Sequence, residues 1–174
     1  LGGATALLPM FAKDLLHIGP WGLGLLRGAP AVGALAMSLA LTRWPITRNA
    51  GSRMLWAVVV YGGATAVFGV STSFTLSMLA LAVTGAADMV SIVVRQSLVQ
   101  LETPDAMRGR VSAVNSVFIG ASNQLGEFES GATAAMLGPV GSVVLGGAGS
   151  VVIALLWWRL FPTLAQRDQL VRSH

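Results

Sequence analysis

The chain has 174 residues, of which 54% are hydrophobic and only 10% are Asp, Glu, Lys or Arg. Soluble globular domains carry about 25% charged residues, and a chain of this length cannot enclose so much apolar surface in a water-soluble core. The net charge of +4 comes from Lys and Arg scattered between apolar runs, which argues against a nucleic-acid partner, and the lack of Cys excludes disulfides and thiolate metal sites. Composition therefore predicts an all-α protein of the lipid bilayer, without a metal or cofactor.

Six apolar runs predict six membrane-spanning helices within a single unit, residues 1–174. A helix rises about 1.5 Å per residue, so about 20 residues cross the hydrocarbon core of a bilayer. The runs cover residues 1–12, 22–41, 54–70, 76–94, 111–137 and 140–161. The first run is too short to span, and no initiator Met or signal peptide precedes it. We therefore expect a chain cut from a longer one on its N-terminal side.

Positive charge alternates between the two ends of these spans, with Lys13 alone on one side. The other side carries nine arginines: Arg43, Arg48, Arg53, Arg95, Arg108, Arg110, Arg159, Arg167 and Arg172. Loops rich in Lys and Arg stay in the cytoplasm, so we expect a multi-pass protein of the bacterial inner membrane with a cytoplasmic C-terminus.

Small residues at helix-packing spacings indicate where spans approach each other closely. Gly62 and Gly63 precede Ala66 in the third span, and Gly146 precedes Ser150 in the sixth. Such residues let helices pack closely in lipid, so we expect ordinary helix packing at these positions.

Arg27 is an isolated charge about 10 Å inside the outer end of the second span. Glu127 and Glu129 of the fifth span lie at a comparable depth, so an ion pair is expected. Such a pair is either a gate that breaks when a cavity opens outward, or a static support between helices.

Asp88 is the only charge in the fourth span, and it lies near the middle of that span. An ionisable group at this depth costs about 2.5–3.5 kcal/mol on insertion scales and by default marks a functional site. Thr84, Ser91 and Arg95 share its helix face. We expect Asp88 to be a proton-coupling or cation-recognising group, with Ser91 beside it. The structural alternative is a network of Asp88 with Arg95 or a serine that stabilises the bundle.

The segment from Thr103 to Arg110 connects the fourth and fifth spans. As structure, Thr103 is expected to cap a helix whose first residue is Pro104, and Asp105 favours the positive end of the helix dipole. As function, Asp105, Arg108 and Arg110 could form a cytoplasmic latch between helices.

The fifth span carries a polar stripe within an arc of about 80° on a helical wheel. Its members are Ser112, Ser116, Gly120, Asn123, Glu127 and Ser130. The stripe lines either a water-filled cavity or a helix–helix seam. Glu127, Asn123 and Ser116 are therefore candidates for the cavity, whereas Glu129 points nearly opposite and is assigned to packing or to the interface. The third and sixth spans hold no ionisable residue inside, so both are expected on the lipid side.

These residues resemble the C-terminal half of the major facilitator superfamily, in the group of bacterial permeases that includes enterobactin exporters. The similarity covers nearly the whole chain. It is carried by Leu8–Asp14, Gly22–Leu26, Pro104–Val111, and Asn123–Glu127 with Ser130–Gly131. A weak echo of the family's loop signature occurs at Asp105, Arg108, Gly109 and Arg110, whereas the loop from Thr42 to Arg53 lacks the Asp of that signature.

The resemblance implies a twelve-helix transporter with two pseudo-symmetric halves that works by alternating access. The six spans would be helices 7–12, and a missing N-terminal half of the same chain would complete the cavity for a small-molecule substrate. It also implies that the ninth and twelfth helices, here the third and sixth spans, face outward.

The leading interpretation is a secondary active transporter, a proton-coupled exporter of a small organic molecule. A phosphate-binding loop of the Walker type is absent from the sequence, which argues against ATP coupling within this chain. An intramembrane aspartyl protease would need a second aspartate in another span beside Gly85–Asp88, and none is present. A membrane scaffold or receptor that does not transport is the remaining alternative.

Overall fold

A computed structural model describes residues 3–44, 46 and 50–160. The elements are α1 (Gly3–Ala6), α2 (Leu8–Met10), a π-helical turn (Phe11–Leu15), α3 (Pro20–Arg43), α4 (Ala50–Val70), α5 (Phe74–Glu102), a 3-10 turn (Asp105–Met107) and α6 (Arg108–Leu160). Arg48, Arg167 and Arg172, which contributed to the predicted orientation, lie outside the described residues.

Four of these helices, α3 to α6, are long and apolar enough to cross a membrane. The prediction of an all-helical membrane protein is therefore confirmed, whereas the prediction of six spans is not, since the described residues form four such helices. The described part of the predicted run 1–12, from Gly3 onward, forms two short helices and leads into the π-helical turn instead of forming one helix. Pro9 lies at the start of α2, where its missing N–H is tolerated but cannot continue a hydrogen-bonded helix from α1.

Helix α6 is a hairpin of two arms, residues 108–137 and 139–160. Gly138 has a non-helical backbone with φ 77° and ψ 165°. The hydroxyl of Ser142 donates to the carbonyl oxygen of Ser130 over 2.9 Å. In a straight helix, twelve residues would separate these groups by about 18 Å, so the chain reverses at Gly138. Glycine fits there because the positive φ strains any residue with a Cβ.

Helix α5 continues to Glu102, past the predicted end at residue 94. Thr103 is extended because the residue before a proline avoids helical backbone angles, and Pro104 therefore ends the helix. Asp88 consequently lies at the centre of α5.

Two apolar clusters hold the bundle together on either side of Asp88. The larger one contains Leu7, Leu8, Phe11, Ala12, Leu26, Ala29, Phe68, Ala80, Leu81, Ala134 and Val143, and the smaller one contains Ile46, Ala50 and Val94. In the larger cluster, the Phe11 and Phe68 rings lie 4.7 Å apart between centroids. Helix α5 contributes to both clusters, so Asp88 lies in the layer between them.

Helices α3 and α5 touch backbone to backbone. A Cβ added to Gly33 would overlap the carbonyl oxygen of Ala82, and one added to Gly85 would overlap the carbonyl oxygen of Pro30. The two contacts pair the helices in antiparallel order. Apolar side chains alone could not bring two helices this close, since small residues are what permits such an approach.

Helix α4 packs in the same way against the second arm of α6. A Cβ on Gly62 would lie 2.6 Å from the carbonyl oxygen of Gly147, and a Cβ on Gly147 would lie 2.8 Å from the backbone nitrogen of Ala66. The packing prediction is confirmed for Gly62 and Ala66. It is wrong for Gly63 and Gly146, where an added Cβ would meet nothing within 4 Å. Adjacent helical residues point about 100° apart, so only one of two neighbouring glycines can face the partner helix.

Candidate functional site

Asp88 lines a cavity of about 90 Å³ between α1, α3, α4 and α5, which we call the small cavity. Its walls are formed by Thr5, Pro30, Tyr61, Thr65, Phe68, Leu81, Thr84, Gly85 and Asp88. Four of these side chains carry hydroxyl groups, and Asp88 is the one that can carry a charge at neutral pH. A carboxyl group surrounded by hydroxyls in the middle of the bundle can bind a proton or a small cation.

The Oδ1 atom of Asp88 is buried and has no hydrogen-bond donor among the residues that the structure describes. The buried Nε atom of Arg95 is equally without an acceptor there. The two residues are seven positions apart, or about 10 Å along the helix axis. The alternative of an Asp88–Arg95 network is therefore not formed in this structure. Ser91 and Arg95 are both partly buried on α5.

A second cavity of about 420 Å³, which we call the large cavity, lies between α4 and the two arms of α6. Its walls are formed by Tyr61, Thr65, Gly126, Glu129, Ser130, Thr133, Ser142, Val143, Leu145, Gly146, Gly149, Ser150 and Ile153. The Oγ1 atom of Thr133 and the Oγ atom of Ser142 are 2.7 Å apart, and this hydrogen bond joins the two arms at the cavity wall.

The third and sixth spans both contribute polar side chains to the large cavity. Tyr61 and Thr65 belong to α4, and Ser142 and Ser150 belong to the second arm of α6. Hydroxyl groups therefore supply polar wall from two spans without charges, and the expectation that both spans lie on the lipid side stays a prediction.

The structure separates the two glutamates of the fifth span. Both are exposed on the first arm, but Glu129 lines the large cavity and Glu127 does not. Ser112 and Ser116 of the predicted stripe are also exposed, and Asn123 is half-buried. The roles assigned to Glu127, Asn123 and Ser116 stay predictions, and Glu129 joins them as a residue of a polar cavity.

Arg27 is exposed on α3, and no described carboxylate lies within the 4.0 Å that defines an ion pair. The predicted pair with Glu127 or Glu129 is therefore not formed in this structure.

We predict that Arg27→Gln leaves thermal stability unchanged, because the guanidinium has no charged partner among the described residues whose loss would lower stability. The melting temperature of the purified intact protein checks this expectation. A fall in melting temperature that corresponds to a loss of about 3–5 kcal/mol of stability, as for a broken buried ion pair, would contradict it.

In the segment from 103 to 110, Arg108 and Asp105 form an ion pair with 2.8 Å between nitrogen and oxygen. The pair is local and exposed, so it does not join two helices as a latch would; such pairs stabilise by about 1 kcal/mol at most. Arg110 is exposed.

The predicted cap at this segment is wrong. Thr103 ends α5, and its hydroxyl donates back to the carbonyl oxygen of Val99, while Pro104 precedes the 3-10 turn without a side-chain cap. The terminal carbonyl groups of α5 need donors, and Thr103 is close enough to supply one. Asp105 does lie in the first turn, as expected.

Sequence reasoning missed Tyr61 and Thr65, which line both cavities. A signal was available, since Tyr61 is the only tyrosine of the chain and precedes Thr65 by one helical turn in an otherwise apolar span. These two residues form the wall between the cavity of Asp88 and that of Glu129.

Comparison with known proteins assigns this architecture to a family. The family model of transmembrane secretion effectors matches residues 2–174. The enterobactin exporter EntS of Citrobacter koseri is 29% identical over 153 residues, which is 88% of this chain and 37% of the relative. The EntS proteins of Salmonella choleraesuis and Escherichia coli are 28% and 27% identical over 134 residues, which is 77% of this chain and 32% of each relative.

The chain thus spans about a third of the length of the curated relatives it matches. No solved structure matches it. Its long apolar helices make it a multi-pass protein of the bacterial inner membrane. Since the family model covers nearly every residue, this chain belongs to the transmembrane secretion effectors of the major facilitator superfamily, in the group similar to EntS.

Proposed function

We propose that this chain forms the C-terminal half, helices 7–12, of a twelve-helix exporter that moves a small organic molecule by alternating access in exchange for protons. The observation that carries the proposal is Asp88, a carboxyl group at the centre of a membrane helix, which lines a cavity with hydroxyl groups in its wall and has a buried oxygen that lacks a donor among the described residues. A group of this kind gains or loses a proton with a large change in local electrostatics, which is what coupling requires.

Exposed surfaces of α3 and of the first arm of α6 support the need for a second half. Phe118 and Phe128 on the first arm are 68% and 74% exposed, and Val32 on α3 is 65% exposed. On the first arm, the polar residues Ser112, Ser116 and Glu127 are exposed beside these apolar ones. A surface that mixes both kinds of residue suits contact with another protein half and a wet cavity better than contact with lipid tails alone.

The relatives support the direction and the class of cargo. They carry the name of enterobactin exporters, and the likeness covers most of this chain. We extend from them only the export of a small organic molecule. The Arg-rich connections place the C-terminal end of α6 in the cytoplasm in this proposal.

Flux in proteoliposomes that contain the intact protein tests the proposal. We expect a proton gradient to drive uptake of a small organic substrate into inside-out vesicles, and collapse of the gradient by a protonophore to stop it. Vesicles that contain the same protein after heat denaturation are the control. Binding of the substrate without gradient-dependent flux would instead favour the scaffold or receptor alternative.

A further inference from the structure

Two of the four hydroxyl groups that line the small cavity donate their protons to backbone carbonyl groups. The Thr84 hydroxyl donates to the carbonyl oxygen of Leu81 over 2.7 Å, and the Thr65 hydroxyl donates to the carbonyl oxygen of Tyr61 over 2.8 Å. Each oxygen therefore has only lone pairs left to offer to the cavity. Thr84 lies one turn before Asp88 on the same face of α5, where side chains four positions apart are neighbours.

Asp88 adds further lone pairs to the same space. Its buried Oδ1 atom accepts no hydrogen bond from the described residues, and an ionised carboxylate can only accept. The described lining contains no Lys or Arg, and Arg95 lies about 10 Å further along α5. A partly buried carboxylate whose Oδ1 atom has no donor among the described residues is costly when ionised, so the site favours either a proton or another positive guest.

We propose that the small cavity is a binding site for a monovalent metal cation of the size of sodium, held by the Asp88 carboxylate and the hydroxyl oxygens of Thr84 and Thr65. Oxygen donors of this kind suit hard cations. The single carboxylate balances one positive charge, and the described residues contain no group of three or more His, Cys, Asp or Glu that would suit a metal ion of higher charge.

The volume of the cavity agrees with this guest. A water molecule occupies about 30 Å³ in the liquid, so a cavity of about 90 Å³ accommodates a desolvated ion with one or two waters. The inference rests on the proposed function only in taking Asp88 as the group that works in transport, and it adds that sodium and a proton compete for this carboxylate.

Thermal unfolding of the purified intact protein tests the site without any transport. At equal ionic strength, we expect a higher melting temperature in sodium chloride than in choline chloride. The difference should grow with the logarithm of the sodium concentration above the Kd and reach about 2–4 °C once sodium exceeds its Kd several-fold. Equal melting temperatures in the two salts across the whole concentration range would overturn the site.

Two variants and a matched control assign the effect to the cavity. Asp88→Asn should abolish the sodium-dependent shift, and Thr84→Val should lower the apparent sodium affinity by tenfold or more, as estimated for one lost ligand at about 1.4 kcal/mol. Thr42→Val is the control, because the Thr42 hydroxyl donates to the carbonyl oxygen of Leu39 over 2.7 Å in the same way but lies exposed on α3. Thr42→Val should keep the full sodium-dependent increase in melting temperature.

If Asp88→Asn fails to fold, the sodium response of Thr84→Val tests the site by itself. This variant should fold, since valine has the same shape as threonine. An unchanged sodium response in Thr84→Val would refute the proposed ligand set. The outcomes for the site and for transport remain separate. Gradient-driven flux together with sodium-insensitive unfolding would remove the cation site only, whereas sodium-dependent unfolding without flux would remove the transport proposal only.

Discussion

Asp88→Asn is expected to reduce gradient-driven flux by about 5- to 150-fold, which corresponds to a coupling free energy of about 1–3 kcal/mol. Asparagine has nearly the same shape as aspartate but cannot take up a proton or carry a charge. The variant should fold, because it removes a buried charge that lacks a donor in this structure. Flux in proteoliposomes and the melting temperature, measured on the same preparation, check both parts.

Asp14→Asn is the matched control for this experiment. Asp14 is an exposed residue of the π-helical turn and lies outside both cavities, so its replacement should leave flux unchanged. Wild-type flux that still follows the proton gradient in Asp88→Asn would show that coupling resides elsewhere.

Gly85→Ala should destabilise the fold by about 1–3 kcal/mol or more, the usual cost of overpacking a tight contact. The added Cβ would overlap the carbonyl oxygen of Pro30, and a backbone atom cannot rotate away as a side chain can. Helices α3 and α5 must then separate, which opens the small cavity and the apolar cluster beside it. A lower melting temperature and a lower yield of folded protein would report this effect.

Gly28→Ala on α3 separates the contact from the general effect of replacing glycine. A Cβ on Gly28 would meet nothing within 4 Å, and alanine favours a helix over glycine by up to about 1 kcal/mol. This control should be neutral or slightly stabilised. Equal melting temperatures for the Gly28 and Gly85 variants would mean that the close approach of α3 to α5 contributes little to stability.

The membrane class, the helical fold and the family could be predicted because each depends on features that the sequence carries directly. Long apolar runs predict helices wherever their neighbours lie, and the Gly138–Pro139 pair marks the reversal within α6. The position of Asp88 at the middle of its span follows from counting residues. Its prediction as a functional group remains to be tested.

The predictions that failed concern which neighbouring helix a side chain faces. A helical wheel places Glu127 and Glu129 on different faces of the first arm, but it does not say which face packs against α4. The cavity of Glu129 therefore could not be derived from the stripe. The predicted partners of Arg27 share only its depth in the membrane, and equal depth does not bring two helices together. The sequence around Thr103 fits the start of the following helix, but α5 extends to Glu102, so Thr103 ends α5 instead.

The backbone contacts at Gly33 and Gly85 also constrain motion. Where side chains interdigitate, one helix can slide past another by changing rotamers, but α3 and α5 have no side chains between them at these two crossings. We therefore expect α3 and α5 to move together as one rigid body. Probes attached to both helices are expected to keep a constant separation while the rest of the bundle rearranges around them.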